Sequence, residues 1–323
     1  MQTYKFNSGK YKKMDLFIKK TVCGENGQVR LSTDLGEVKS IFLKYPDYEY
    51  KHFDLEEDTD YIITFNKTDC ELAYLCGNDD LLEEGICFIE FRRDGMDMYF
   101  RENMSEAYGQ RYRNQIHFSP FKNWMNDPNG LCYYKGKYHM FYQYNPKSQV
   151  WDSMHWGHAV SKDLIHWIHQ PIVLFPQKEL YHNTKFTGGA FSGSAIVDDN
   201  DDMRLFLTRS FNSKEDLWTR EWQTTCTSSD GIEFSPEREI LDETPEGVGM
   251  DFRDPMICRI NNKWYMFIAG VHYDIPAVLC YSSQDLESWE YDGPILKEDR
   301  FNYAIAECPD VYEIGDKLVI VVG

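Results

Sequence analysis

Three carboxylic acids stand where a turn-prone string gives way to an apolar run: Asp127 in NDPNGLCYY, Asp254 in FRDPMIC and Glu307 in AECPDVY. Acids brought from separate segments to one place repel one another, so that one keeps its proton while another stays ionised. A proton donor beside a carboxylate is what cleavage of a glycosidic bond requires. Taken singly, each acid has an ordinary reading: DPNG as a structural turn, Arg-Asp as an ion pair or solvated edge, AECPD as surface before a strand. Their shared place in a repeat decides for chemistry.

The repeat emerges when the chain is slid against itself. Four segments start alike: DPNGLCYYKGKYHMFYQYN from Asp127, SGSAIVDDNDDMRLFLTRS from Ser192, RDPMICRINNKWYMFIAGV from Arg253 and ECPDVYEIGDKLVIVVG from Glu307. Each is a turn-prone start, an apolar strand, a polar hairpin turn (KGK, DDNDD, NNK, GDK) and a second alternating strand. Three units share a later element, SKDLIHW, SSDGIEF or SSQDLESW. The spacings are 66 residues from Asp127 to Gly193, 61 on to Asp254 and 53 on to Glu307. Units of that size, four strands long and without helical periodicity, predict the blades of a β-propeller rather than an ordinary β-sandwich. Equivalent blade positions face one axis, so the three acids are expected at one mouth of a central channel. The fourth unit, 307–323, holds about two strands, so the propeller is expected to be incomplete in this chain.

Residues 1–112 read differently. Short β-like runs (VKSIFLKY, DYIITFN, ELAYLC, ICFIEF, MDMYFRE) alternate with acidic turns such as DLEEDTD, the pattern of a small antiparallel β-sandwich. The expected organisation is all-β: an accessory β-sandwich over 1–112 and a propeller over 113–323. The aromatic share of 15% agrees, since aromatic residues favour strands and line sugar clefts. A formal charge of -19 argues against a nucleic-acid partner, because phosphate binding rests on Lys and Arg displacing counterions. Neither a membrane-length apolar run nor a signal-peptide core is visible, and nine cysteines without a CxxC pair suit reduced thiols, so a cytoplasmic location is expected. Assembly into a homo-oligomer stays open.

The string HFSPFKNWMNDPNGLCYYKGKYHMFYQYNP, followed by WDSMHWGHAVSKDLIHW, FSGSA, FRDP and AECPD, resembles glycoside hydrolase family 32, the invertases, sucrose-6-phosphate hydrolases and fructanases. The resemblance covers roughly 117–323, in order; residues 1–112 lie outside it. It implies a five-bladed propeller followed by a β-sandwich, and retaining hydrolysis of terminal β-D-fructofuranosides such as sucrose, sucrose 6-phosphate or short fructans. By motif, Asp127 is implied as the nucleophile and Glu307 as the acid/base. The latter has to start protonated, which calls for burial or acidic neighbours. Asp254 is implied as the transition-state stabiliser, with Arg253 keeping it ionised. Trp124, Asn126, Gln143, Trp151, Phe191 and Ser192 fall at substrate-binding motif positions. An inverting five-bladed glycosidase acting on arabinan or xylan, a non-catalytic sugar-binding fragment and fructosyl transfer remain as alternatives.

No cofactor and no metal is expected. The pairs His155/His158 and His166/His169 look like HxxH, but an i, i+3 pair in a strand points to opposite faces. DDNDD at 198–202 falls where the repeat demands a hairpin turn and lacks a calcium-loop pattern.

Overall fold

The computed structural model describes residues 1–298 and 305–323, and they form an all-β protein with only short helical turns. The chain divides into two compact units, one of residues 1–125, 145–151 and 167–171, the other of residues 126–144, 152–166 and 172–323.

The first unit carries nine strands: β1 (Gln2–Asn7), β2 (Lys13–Lys20), β3 (Gly27–Thr33), β4 (Gly36–Leu43), β5 (Glu49–Asp54), β6 (Asp60–Asn66), β7 (Thr68–Cys76), β8 (Cys87–Arg92) and β9 (Gly95–Tyr99). They form two sheets, ordered β1-β6-β3-β4 and β5-β2-β7-β8-β9. One apolar cluster draws on both, with Val29, Leu31 and Ile63 of the first sheet and Met14, Leu16 and Leu75 of the second fully buried. Alternation explains why: in β2, Met14, Leu16 and Ile18 enter that cluster while Lys13, Asp15 and Phe17 take the opposite face.

In the repeat region, three four-stranded sheets follow one another in chain order. They are β10 (Trp124–Tyr134) to β11 (Lys137–Asn145), β12 (His155–Ser161) and β13 (Trp167–Leu174); β14 (Phe186–Val197) to β15 (Met203–Ser213), β16 (Thr219–Ser228) and β17 (Arg238–Leu241); and β18 (Val248–Ile260) to β19 (Lys263–His272), β20 (Ile275–Ser283) and β21 (Glu290–Lys297). A two-stranded sheet, β22 (Asp310–Ile314) and β23 (Lys317–Val321), comes last. The repeat-defining segments thus open each sheet, and the acidic string 198–202 makes the β14–β15 hairpin, with Asp198 Oδ1 accepting from the N–H groups of Asn200 and Asp202 at 2.9 and 3.2 Å.

Stacking follows from period two. Leu205 and Leu207 of β15 pack with Phe141 and Trp156 of the first sheet, while Phe206 between them packs with Phe252 and Met266 of the third. The same alternation recurs in β19, where Met266 and Ile268 face back and Phe267 faces forward to Val311 of β22. Each middle strand is therefore apolar on both faces, as a sheet covered on both sides must be. Burying one such side chain contributes roughly 1.5–3 kcal/mol.

The shared SKDLIHW-type element is a hydrogen-bonded turn. Ser161 Oγ accepts from the Leu164 N–H at 2.8 Å, and Asp163 Oδ1 accepts from the Ile165 and His166 N–H groups at 2.9 and 2.8 Å. Ser228 with Asp230 and Ser283 with Asp285 repeat those bonds. The residue after each Asp is left-handed: Leu164 (φ 65°), Gly231 (φ 79°) and Leu286 (φ 63°). A side-chain carboxylate can satisfy successive backbone donors only around so tight a bend.

Candidate active site

The first strands of the sheets bring their opening residues together, and bulges aim them. The β14–β15 register shifts between Ala190 and Gly193, leaving Phe191 and Ser192 out of the ladder, and the β18–β19 register shifts between Arg253 and Met256, leaving out Asp254 and Pro255. Bulges re-aim side chains in this way beside functional sites. Gly193 is required by the close approach of β15: a Cβ there would lie 2.0 Å from the Phe206 carbonyl oxygen.

Asp127 is half-buried on β10 and accepts from Ser192 Oγ at 2.8 Å. Asp254 is buried at 6% exposure in a left-handed conformation (φ 63°), and its Oδ2 accepts from the Cys308 N–H at 3.0 Å. Burial pushes its carboxyl up to about 6; the Cys308 N–H and Arg253 oppose that shift, while Glu307 and Asp127 add to it. Beside Asp254 lies a cavity of about 180 Å³, lined by Ser192, Asp254 and Cys308 with Asn129, Met256 and Asp310.

Three expectations need correcting. Asp127 and Asp254 each precede a proline, but in the last segment the residue before Pro309 is Cys308, which is left-handed like Asp254 (φ 46°). Glu307 is therefore one position out of register with the other two acids, at the place that Arg253 holds in its own segment. Secondly, Glu307 is not buried: its side chain is 53% accessible. Thirdly, the Arg253 guanidinium turns to Glu307 (Nη2 to Oε1, 2.9 Å), Glu221 (Nη1 to Oε1, 3.4 Å) and Asp251, and Asp254 feels it only as a field too weak to outweigh burial.

Glu221 is the residue that the sequence reading missed. It lies on β16 at 5% exposure, accepts from the Phe252 N–H at 2.7 Å, and burial raises its carboxyl to about 7 against the opposing pull of Arg253. Its signal in TREWQTT was a charge sharing strand parity with Gln223, itself fully buried and donating to the Phe252 carbonyl at 2.7 Å. Two polar residues at i, i+2 on a strand with buried neighbours mark a polar core face.

The binding candidates divide. Ser192 and Arg253 join the acids. Gln143 is 2% exposed and its amide donates to the Ala190 carbonyl at 2.8 Å, while Asn129, with its amide oriented to suit its neighbours, accepts from Gln143 at 3.1 Å. Gln143 thus braces the strand before the bulge. The Phe191 carbonyl accepts from Trp156 Nε1 at 3.0 Å, which fixes the bulge itself, and Asn126 is half-buried on β10 next to Asp127. Trp124 and Trp151 belong to the first unit, Trp151 42% exposed. The two HxxH pairs do other work: His158 meets His139 at 3.0 Å, and His166 pairs with Asp163. Among the described residues no cluster of His, Cys, Asp and Glu suits a metal ion.

An all-β chain that brings Asp127 and Glu307 within electrostatic reach of a buried Asp254 has the kind of carboxylate cluster that glycoside hydrolysis uses. Residues 117–322 match the N-terminal domain of glycosyl hydrolases family 32, and the chain belongs to that family. It is 39% identical over 218 residues to the sucrose-6-phosphate hydrolase of Escherichia coli, covering 66% of this chain and 44% of that protein. It is 36% identical over 217 residues to the levanase of Bacillus subtilis, covering 65% of this chain and 30% of that protein. The chain therefore spans less than half the length of these curated relatives. Among solved structures, a glycoside hydrolase family 32 protein from Bifidobacterium adolescentis superposes with a TM-score of 0.88 at 27% identity, over 100% of this chain and 61% of that one. A mutant Bombyx mori β-fructofuranosidase in complex with sucrose gives a TM-score of 0.58 at 35% identity, over 69% of this chain and 46% of that one.

Proposed function

We propose that the protein hydrolyses terminal β-D-fructofuranosides with retention, through a covalent fructosyl-enzyme. The observation that carries this reading is the cluster itself, Asp127 held by Ser192, with Asp254 and Glu307 both within electrostatic reach of one another. Glu307 gives its proton to the glycosidic oxygen as the Asp127 carboxylate attacks the anomeric carbon. Water then enters, loses a proton to Glu307 and releases fructose from Asp127. Asp254 accepts hydrogen bonds from fructose hydroxyls that strengthen as oxocarbenium character develops. Arg253 fixes the direction of the Glu307 carboxylate, and Asn126, Phe191, Trp124 and Trp151 contact the sugar.

The stacked sheets are read as blades of a five-bladed type of propeller, and the nine-stranded unit as an accessory β-sandwich. A reducing, cytoplasmic setting suits the nine cysteines. Relatives named for sucrose 6-phosphate and levan support a fructoside substrate; an inverting arabinan or xylan enzyme has no such support.

Hydrolysis assays on the full chain with sucrose, sucrose 6-phosphate, inulin and levan test the proposal. Turnover of at least one, lost by a factor of about 1,000 or more in Asp127→Ala, is expected. Turnover of none would sink it, and an inverted first-formed fructose anomer by proton NMR would refute the covalent route.

A further inference from the structure

We propose that the second unit carries a further carbohydrate site, a groove between the first and second four-stranded sheets that binds a neutral oligosaccharide chain through Trp222 and Tyr181. Every residue that lines it belongs to the second unit, and it lies apart from the acid cluster.

Period two separates the two places. On β15, Thr208 and Ser210 face the acids: Thr208 Oγ1 accepts from the Asp254 N–H at 3.0 Å, and Ser210 Oγ donates to Glu221 Oε1 at 3.5 Å. Arg209 between them, and Trp222 next to Glu221 on β16, therefore take the opposite face of the second sheet. The two are direct partners in the β15–β16 ladder. With Ile172–Leu174 of β13 across from them they line a cavity of about 570 Å³, a size that suits a ligand pocket. Among the described residues none lines both this cavity and the one beside Asp254.

The floor is an ion pair that the acid chemistry does not use. Arg209, its side chain 8% accessible, gives Nε to Glu237 Oε2 at 2.8 Å, Nη2 to Glu237 Oε1 and Nη1 to the Phe175 carbonyl at 2.7 Å. Thr224 Oγ1 donates to Glu237 Oε2 at 2.9 Å. Desolvating two charges is costly, and a forked, two-point pair offsets that cost with fixed geometry. What the pair presents to the cavity is a set of donors and acceptors of settled direction and no net charge. Over the whole lining the cations Lys178 and Arg209 match the anions Glu237 and Glu239, in a chain whose formal charge is -19. An anionic ligand finds no surplus of positive charge there, and a cationic one no surplus of negative. The walls are aromatic: Trp222 is half-buried, with the Arg220 guanidinium 4.8 Å from its ring centroid to hold the indole in place, and Tyr181 is 49% exposed. Flat apolar rings beside a neutral set of donors and acceptors match a sugar chain, whose C–H faces lie on rings while its hydroxyls both donate and accept.

Affinity electrophoresis tests this in native gels that contain levan, inulin, xylan or the anionic polygalacturonate. It is run with Asp127→Ala, so that no polymer is consumed, alone and combined with Tyr181→Ala, Trp222→Ala or Trp222→Phe. At least one neutral polymer is expected to retard the parent, with an association constant lowered about fivefold or more by Tyr181→Ala and by Trp222→Ala. Trp222→Phe keeps a flat face and is expected to stay within about twofold of the parent. Tyr181, half in solvent, keeps the test open should Trp222→Ala lower the Tm. Retardation by no neutral polymer overturns the proposal, as does retardation that neither alanine variant weakens; retardation by polygalacturonate alone overturns the neutral class of ligand. In chains that retain Asp127, both alanine variants are expected to leave kcat/KM for sucrose within about twofold. A chain that hydrolyses no fructoside but is retarded through Trp222 and Tyr181 sinks the fructosidase reading and leaves this inference standing, whereas normal hydrolysis with retardation insensitive to both residues sinks the inference alone.

Discussion

Asp254 and Glu221 share one physical situation, a carboxyl taken out of water with only partial compensation, and their raised values follow from it. Below about 6 Asp254 holds a proton and cannot act as a carboxylate, so kcat/KM is expected to fall on the acid side around that pH. Glu221 titrates above Asp254, raised in part by the Asp254 carboxylate itself, so it is still largely protonated where Asp254 ionises and does not oppose that step. Glu221→Gln is therefore expected to leave the acid limb of the profile in place while keeping the Phe252 N–H satisfied. A limb that moves in pH-rate measurements would show that Glu221 is ionised where Asp254 titrates. At this scale the sequence was legible in residue type and only partly in role. Asp127, Asp254 and Glu307 were readable because each stands in a proline-containing turn string that opens a repeat segment, whereas Glu221 was hidden in a strand whose face no local pattern declares.

The elements turn on two devices, the bulge and the Ser-x-Asp turn. Gly193 lets β14 approach β15 closely enough to leave Ser192 out of the ladder, and Gly193→Ala drives a methyl into the Phe206 carbonyl. The expected result is a kcat/KM reduced by about tenfold or more together with a Tm lowered by several degrees, measured on the same sample. The turn allows a cleaner contrast. Leu164 and Leu286 both carry side chains in the left-handed region, but Leu164 is 56% exposed and Leu286 is 4% exposed in the third core. Asn tolerates that conformation better than Leu, so Leu164→Asn is expected to raise stability by about 0.5–1 kcal/mol. Leu286→Asn loses core packing and is expected to cost about 2–5 kcal/mol. Denaturant titration of both variants checks the pair of signs. Hairpins and repeat boundaries were plain in the sequence, since turn residues and alternation are local signals. The bulges were not, because an unpaired residue is defined by its neighbour strand.

Across the whole molecule, buried histidines set the acid limit of stability. His139 and His158 in the second unit and His169 in the first are all at most 6% exposed, and burial lowers each, His139 and His169 to about 4 and His158 well below its usual value. A depressed folded-state value means that the unfolded chain takes up protons first. The stabilisation is therefore complete above about pH 6.5 and is lost as pH falls towards 4 and below. Thermal melts between pH 7 and 4 should show a Tm that declines through this window, with a shallower decline in His139→Gln; a flat profile would mean that these rings titrate freely in the fold. Composition, repeat length and strand alternation, all properties of the chain as written, determined that this protein is all-β, that its second part is built from recurring four-stranded units, and that their opening residues carry the acids. The tertiary structure alone decided that Arg253 pairs with Glu307, that Glu307 faces outwards one register place from Asp254, and that Glu221 lies buried beside them. Charge state and facing depend on how much water is removed and which strand lies opposite, and neither is a property of any residue's neighbours in sequence.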